Sequence, residues 1–167
     1  AQTFRDFETL VIVDGGPKPP EELLSPSPGK GGLKLIPREP PHGRSRALNA
    51  GLDAARGKFI AYLDDDDIYH PDHIETLARF LSGGTYRVAY TDVEQITQTL
   101  GPDGHYHNGS TLFVYGRPFE SDRLLSSNYI SLIGLMHAAT DQRYDESFDL
   151  LEDWDFMIRL AESERFH

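Results

Sequence analysis

Apolar residues fall in short runs separated by polar or Gly/Pro-rich stretches. Residues 9–13 read TLVIV, an unbroken β-branched run that suits a strand buried on both faces. Asp14-Gly15-Gly16-Pro17 ends it, and residues 18–32 form a Pro-, Gly- and Ser-rich loop with one helical turn expected around 21–24. A second strand is expected at 33–36, stopped by Pro37, Pro40 and Pro41. Helical spacing then takes over at 45–56, with Ala47, Leu48, Leu52 and Ala55 on one face and Gly57 as the stop. Residues 58–63 (KFIAYL) read as a third strand. Pro71 sits where the next helix begins, and Ile74, Leu77, Ala78 and Leu81 recur at helical spacing up to Gly83-Gly84. Further strands are expected at 86–97, 111–115 and 130–136, with a turn-rich tip at 101–109. An amphipathic helix covers 151–161.

Strands alternating with helices predict an α/β fold with a mainly parallel sheet. No internal repeat or boundary divides residues 1–167, so one domain is expected, with 18–41 the one candidate for disorder. A chain of 167 residues buries a core without staples. No apolar stretch is long enough to span a membrane. The absence of cysteine excludes disulfides and thiolate metal sites. The formal net charge of −11 argues against non-specific binding to nucleic acid or anionic lipid. It suits a protein that gathers cations, and it puts weight on where the few arginines lie.

The third strand runs directly into Asp64-Asp65-Asp66-Asp67. Ligands of open α/β sheets bind beyond the carboxyl ends of strands. Four adjacent carboxylates repel one another, and a divalent cation relieves that repulsion through oxygen ligands. The other reading is a solvated loop whose charge complements the helix beginning near Pro71. An EF-hand is excluded, because Ile68 and Tyr69 stand where a ligand and the turn glycine are needed. Glu152 and Asp153 open the last helix and by themselves read as charge at a helix N-terminus. Trp154 is either core or a stacking surface, and Arg159 a surface or packing residue. His105 and His107 could pair on a metal, but a hairpin tip explains them more simply; His137 could approach the site, with the core or its rim the simpler reading. Gly29-Lys30-Gly31-Gly32 lacks the spacing and the Ser/Thr of a P-loop.

Four segments resemble the family 2 glycosyltransferases of the GT-A fold, in the family's order and nearly end to end. They are residues 1–16 (AQTFRDFETLVIVDGG), 43–52 (GRSRALNAGL), 57–71 (GKFIAYLDDDDIYHP) and 144–160 (YDESFDLLEDWDFMIRL). The resemblance implies that Asp14 bonds the donor base, that Asp66 with Asp64 binds Mn²⁺ or Mg²⁺, and that Asp65 contacts the ribose. It implies that Asp153 is the general base, and that Arg38, Arg44 and Arg46 face the nucleotide. Two departures stand out. Val13 replaces the first aspartate of the family's Asp-Asp-Gly-Ser turn. The family also begins with a strand and helix ahead of the segment where this chain starts, so an N-terminally incomplete domain is expected.

The implied activity is inverting transfer of a sugar from a nucleoside-diphosphate donor, a UDP-sugar by family habit. The acceptor would be a saccharide, lipid-linked or protein hydroxyl, as in polysaccharide biosynthesis. The resemblance implies a cytoplasmic location, with any membrane association supplied by regions outside this chain. Two other classes compete: a non-catalytic nucleotide- or sugar-binding module, and a phosphatase with an aspartyl nucleophile. Ile68 breaks the phosphatase pattern.

Overall fold

The computed structural model describes residues 1–20, 22, 24 and 29–167. The helical turn expected around 21–24 falls largely outside them. In chain order the elements are β1 (Thr9–Asp14), β2 (Leu33–Arg38), α1 (Arg44–Ala54), β3 (Phe59–Ala61), α2 (His73–Ser82), β4 (Val88–Tyr90), β5 (Val93–Leu100), β6 (Tyr106–Tyr115), α3 (Ser121–Leu124), β7 (Leu135–Ala138) and α4 (Glu152–Ser163). A 3₁₀ turn, Leu132–Gly134, leads into β7.

β1 and β2 pair in parallel, as expected, from Thr9↔Leu33 to Asp14↔Arg38. β2 runs through Pro37 rather than stopping at it. Proline is tolerated on a strand with a free edge, and β2 has one partner among the described residues. The three-stranded sheet departs from parallel pairing. β7 lies between β3 and β4 and is antiparallel to both. The strand expected at 86–97 is two strands. β4 joins β7, while β5 and β6 form a separate antiparallel hairpin. The break falls at Thr91-Asp92, where the Thr91 N–H donates to the Gly134 carbonyl at 3.1 Å. A Cβ on Gly134 would come within 2.8 Å of the Thr91 carbonyl oxygen, so only glycine allows this close approach.

The three-stranded sheet is covered on both faces, and its residues alternate accordingly. Val88, Leu135 and Ile60 face a cluster built with Phe156, Met157 and Leu160 of α4, and with Leu124, Ile130, Tyr144 and Phe166. Ala89, Met136, Phe59 and Ala61 face Leu77, Ala78 and Leu81 of α2. α1 packs on β1, with Gly51 beside Ile12, and its Leu48 and Leu52 reach the α4 cluster. Among the described side chains, none of the β5–β6 hairpin enters either cluster.

The N-terminal QT…E segment works as a staple. The Gln2 side chain accepts from the Ile74 N–H (3.1 Å), satisfying one of the free donors at the start of α2. Gln2 Nε2 also donates to the His70 carbonyl (2.6 Å). Glu8 accepts from the backbone N–H of Arg56 (2.7 Å) and from its guanidinium (3.0 Å), just past the end of α1. The loop between β3 and α2, which carries the acidic run, is thereby held at its far end. At its near end, the Tyr69 hydroxyl donates to the Tyr62 carbonyl.

Candidate active site

The first turn of α1 organises the site. Gly43, its N-cap, has φ 92°, a conformation that suits glycine. The Asp14 carboxylate, at the end of β1, receives the N–H of Gly43 (2.8 Å) and of His42 (3.1 Å). Asp14 is therefore the acidic group that meets the free donors entering α1. Burial pushes its carboxyl up. The two backbone N–H groups and the nearby Arg38 outweigh that and hold it below the usual aspartate range. Arg38, the β2 residue in register with Asp14, places Nε 3.5 Å from Asp14 Oδ1.

Arg44 turns away from Asp14 towards two other carboxylates. Its Nη2 donates to Asp64 Oδ2 at 2.9 Å and its Nε lies 2.7 Å from Glu152 Oε1. Burial depresses the guanidinium's proton affinity, but Asp64 and Glu152 more than restore it. One side chain thus ties the carboxyl end of β3 to the N-terminus of α4. Arg46 pairs with Glu146 at 2.9 Å. Asn49 grips the same segment: Nδ2 donates to the Tyr144 carbonyl (2.9 Å) and Oδ1 accepts the Tyr144 N–H (2.8 Å). Ser45 Oγ donates to the Phe148 carbonyl (3.2 Å).

Within the acidic run, oxygen atoms of Asp64, Asp66 and Asp67 all lie within 4.8 Å of one another. Burial and the charges of Asp66 and Asp64 raise the Asp67 pKa. This carboxylate set, crowded and oxygen-only, matches what a hard divalent cation takes as ligands. Asp67, the last residue of the acidic run, belongs to this cluster. Asp65 is exposed and lies outside the trio.

Asp153 is half-buried in the first turn of α4. Its Oδ1 accepts the N–H of Trp154 (2.7 Å) and lies 3.5 Å from Asn128 Nδ2. The turn before it is strained. Leu151, the N-cap, sits at φ 63°, ψ 20°, a left-handed conformation that non-glycine residues rarely adopt. Trp154 is a core residue: it packs on the α4 cluster and its Nε1 donates to the Leu124 carbonyl (2.6 Å). Arg159 is a packing residue bound to Asp155 (2.7 Å). His137 is fully buried. His107 sits at the hairpin tip, 3.0 Å from Asp103.

Of the residues expected at the site, Asp14 with Arg38, and Asp64 and Asp66 with Arg44, converge around the start of α1. Asp153 joins them through its neighbour Glu152. Asn49, Glu152 as the buried partner of Arg44, and Asn128 were not singled out from the sequence. An Arg-to-Glu pairing over more than 100 positions leaves no local pattern to find.

A carboxylate cluster at the carboxyl end of a strand, braced to an acidic helix start, lies where α/β proteins bind their ligands. The chain belongs to glycosyl transferase family 2, whose sequence profile matches residues 1–142. It is 32% identical over 170 residues to a PGL/p-HBAD biosynthesis glycosyltransferase of Mycobacterium tuberculosis, covering 95% of this chain and 59% of that protein. It is 27% identical over 168 residues to the uncharacterized glycosyltransferase YwdF of Bacillus subtilis, covering 98% of this chain and 60% of the other. In structure it resembles S. aureus TarS 1–349 in complex with UDP, with TM-score 0.69 and 19% identity over 99% of this chain and 49% of that one. The fold is therefore GT-A-like α/β, and the chain spans about 60% of these curated relatives. No helix among the described residues is long and apolar enough to cross a membrane.

Proposed function

We propose that this chain carries the catalytic centre of an inverting glycosyltransferase. It moves a sugar from a nucleoside-diphosphate donor to an acceptor hydroxyl. The observation that carries the reading is the Arg44 fork, which sets the acidic run beside the Glu152-Asp153 start of α4. A divalent cation, Mn²⁺ or Mg²⁺, held by Asp64, Asp66 and Asp67 would neutralise charge on the departing diphosphate. Asp153, half-buried and oriented by its contacts to Trp154 N–H and Asn128, takes the proton of the attacking hydroxyl. The acceptor oxygen bonds to the anomeric carbon as the carbon–phosphate-oxygen bond breaks, so a single displacement inverts the centre. A positioned base of this kind is worth roughly 10²–10⁴-fold in rate.

Asp14 and Arg38, in register at the ends of β1 and β2, form the wall assigned to the nucleotide. Asp14 spends lone pairs on His42 and Gly43, so its role in reading a base is joined to its role in seating α1. Asp65, exposed beside the trio, is assigned to the ribose. UDP is the first nucleotide to test, because TarS has been seen with UDP. The acceptor class remains saccharide, lipid-linked or protein, and the family's cytoplasmic placement is kept as part of this proposal.

The test is thermal shift across nucleoside diphosphates with Mn²⁺, followed by donor turnover with and without EDTA. A UDP-selective shift and EDTA-sensitive turnover are expected. Turnover indifferent to EDTA would remove the metal from the scheme. Asp153→Asn should abolish turnover and leave nucleotide binding intact. Loss of both would make Asp153 structural.

A further inference from the structure

Arg44 was expected to face the nucleotide, yet its guanidinium is occupied by two carboxylates on different elements. The two ends of this fork differ. The Glu152 side chain is 8% exposed, and the Asp64 side chain is 42% exposed. A buried carboxylate stripped of its partner is strongly destabilising, whereas a half-exposed one is readily served by water or another cation. Arg44 is thus committed to Glu152 and exchangeable at Asp64. Asp64 is also one of the three carboxylates whose oxygens crowd within 4.8 Å. Any cation drawn to that trio competes with Arg44 for Asp64. Glu152 in turn is covalently next to Asp153, on the first turn of a helix whose preceding residue is held in a left-handed conformation.

We propose that Arg44 is a positioning residue: forked between Asp64 at 2.9 Å and Glu152 at 2.7 Å, it couples occupancy of the acidic run to the placement of Asp153. With the run empty of cation, the guanidinium divides between both carboxylates. When Asp64 turns to a cation, the fork collapses onto Glu152, and the start of α4 shifts with it. The base then reaches its working position when the cation site is filled. This inference rests on the cation site proposed above.

The chain reports on the coupling through its single tryptophan, Trp154, adjacent to Asp153. Mg²⁺ is the probe, since it does not quench fluorescence by paramagnetism. Binding is followed by calorimetry and, in parallel, by Trp154 emission. In the unmodified protein the emission change should track the calorimetric isotherm. In Arg44→Gln, Mg²⁺ should still bind, no weaker than before because a competing positive charge is gone, while the emission change is lost. Arg44→Lys keeps Glu152 paired and so preserves folding, checked by far-UV circular dichroism. Its single ammonium cannot fork, so the emission change should be reduced there too. A full-sized emission change in either folded variant would overturn the coupling, as would Mg²⁺ binding to the unmodified protein without any change at Trp154. Failure of Mg²⁺ to bind the unmodified protein would instead remove the cation site on which both proposals stand.

Discussion

The Tyr62 hydroxyl donates to His137 Nε2 at 2.7 Å, joining the end of β3 to the middle of β7 inside the core. The direction of this bond follows from the other ring nitrogen. Nδ1 lies 2.7 Å from the Ala138 carbonyl, which can only accept, so Nδ1 carries the proton and Nε2 must accept. The ring is neutral, and burial, together with the nearby Arg87, pushes its pKa down to about 4, against the opposing pull of the Ala138 carbonyl.

This pair predicts a pH dependence of stability. A histidine with its folded pKa below the unfolded value of about 6.5 binds more protons when unfolded. Its contribution is whole above the unfolded pKa and is lost as pH falls towards about 4. Up to about 3 kcal/mol is at stake over that window, at about 1.4 kcal/mol per pKa unit. Urea unfolding from pH 7.5 to 4.5 should show the decline, and His137→Gln should flatten it. An unchanged slope in that variant would place the effect elsewhere.

Asn49→Ala should be among the most damaging single changes. It removes both bonds to the buried Tyr144 backbone, leaving an N–H and a carbonyl without partners. Each such group costs about 1–3 kcal/mol. A loss of about 2 kcal/mol or more is expected in the denaturant midpoint. Asn49→Asp keeps the acceptor for the Tyr144 N–H but turns a charged oxygen on the Tyr144 carbonyl and on Glu146 Oε1, so it should cost at least as much.

Leu151 should respond to size in reverse of an ordinary helix position. Its left-handed conformation costs roughly 1–2 kcal/mol for a non-glycine residue, more for a β-branched one. Leu151→Gly should therefore hold or raise the melting temperature, and Leu151→Val should lower it. If both lower it equally, the leucine side chain rather than the backbone sets the balance at this turn.

Asp67→Asn should move stability and cation binding in opposite directions. Burial penalises the charged form of Asp67, and the like charges of Asp66 and Asp64 add to that penalty. Neutralising it should stabilise the cation-free protein by about a few tenths of a kcal/mol, as befits an exposed group. The same change removes one of the three clustered carboxylates, so the thermal shift on adding Mg²⁺ should shrink.

Periodicity alone located most elements, because each strand or helix is decided by its own residues and the face it buries. α2 is the clearest case: Leu77, Ala78 and Leu81, expected on one face, are buried together. Strand direction was not legible. LMHA reads the same whether it pairs in parallel or antiparallel, and its place between β3 and β4 depends on partners up to 79 positions away (Phe59↔Ala138). The split of 86–97 was missed for a similar reason, since it rests on the close approach of Gly134 to Thr91. At the site, the acidic run and the Glu-Asp pair were visible as charge. The work of Arg44 was not, because the sequence shows a cation without showing which two anions fold up against it.

The β5–β6 hairpin remains outside both clusters, with Leu112, Phe113 and Val114 exposed along β6 and a tight turn at Gly101–Gly104. Its tip can lengthen, shorten or change composition at small thermodynamic penalty. Among the described residues, the contacts of Arg44 with Asp64 and Glu152, and of Asp153 with Trp154 and Asn128, do not involve it. A change in the length of that tip is therefore expected to leave the contacts of Arg44 with Asp64 and Glu152 in place.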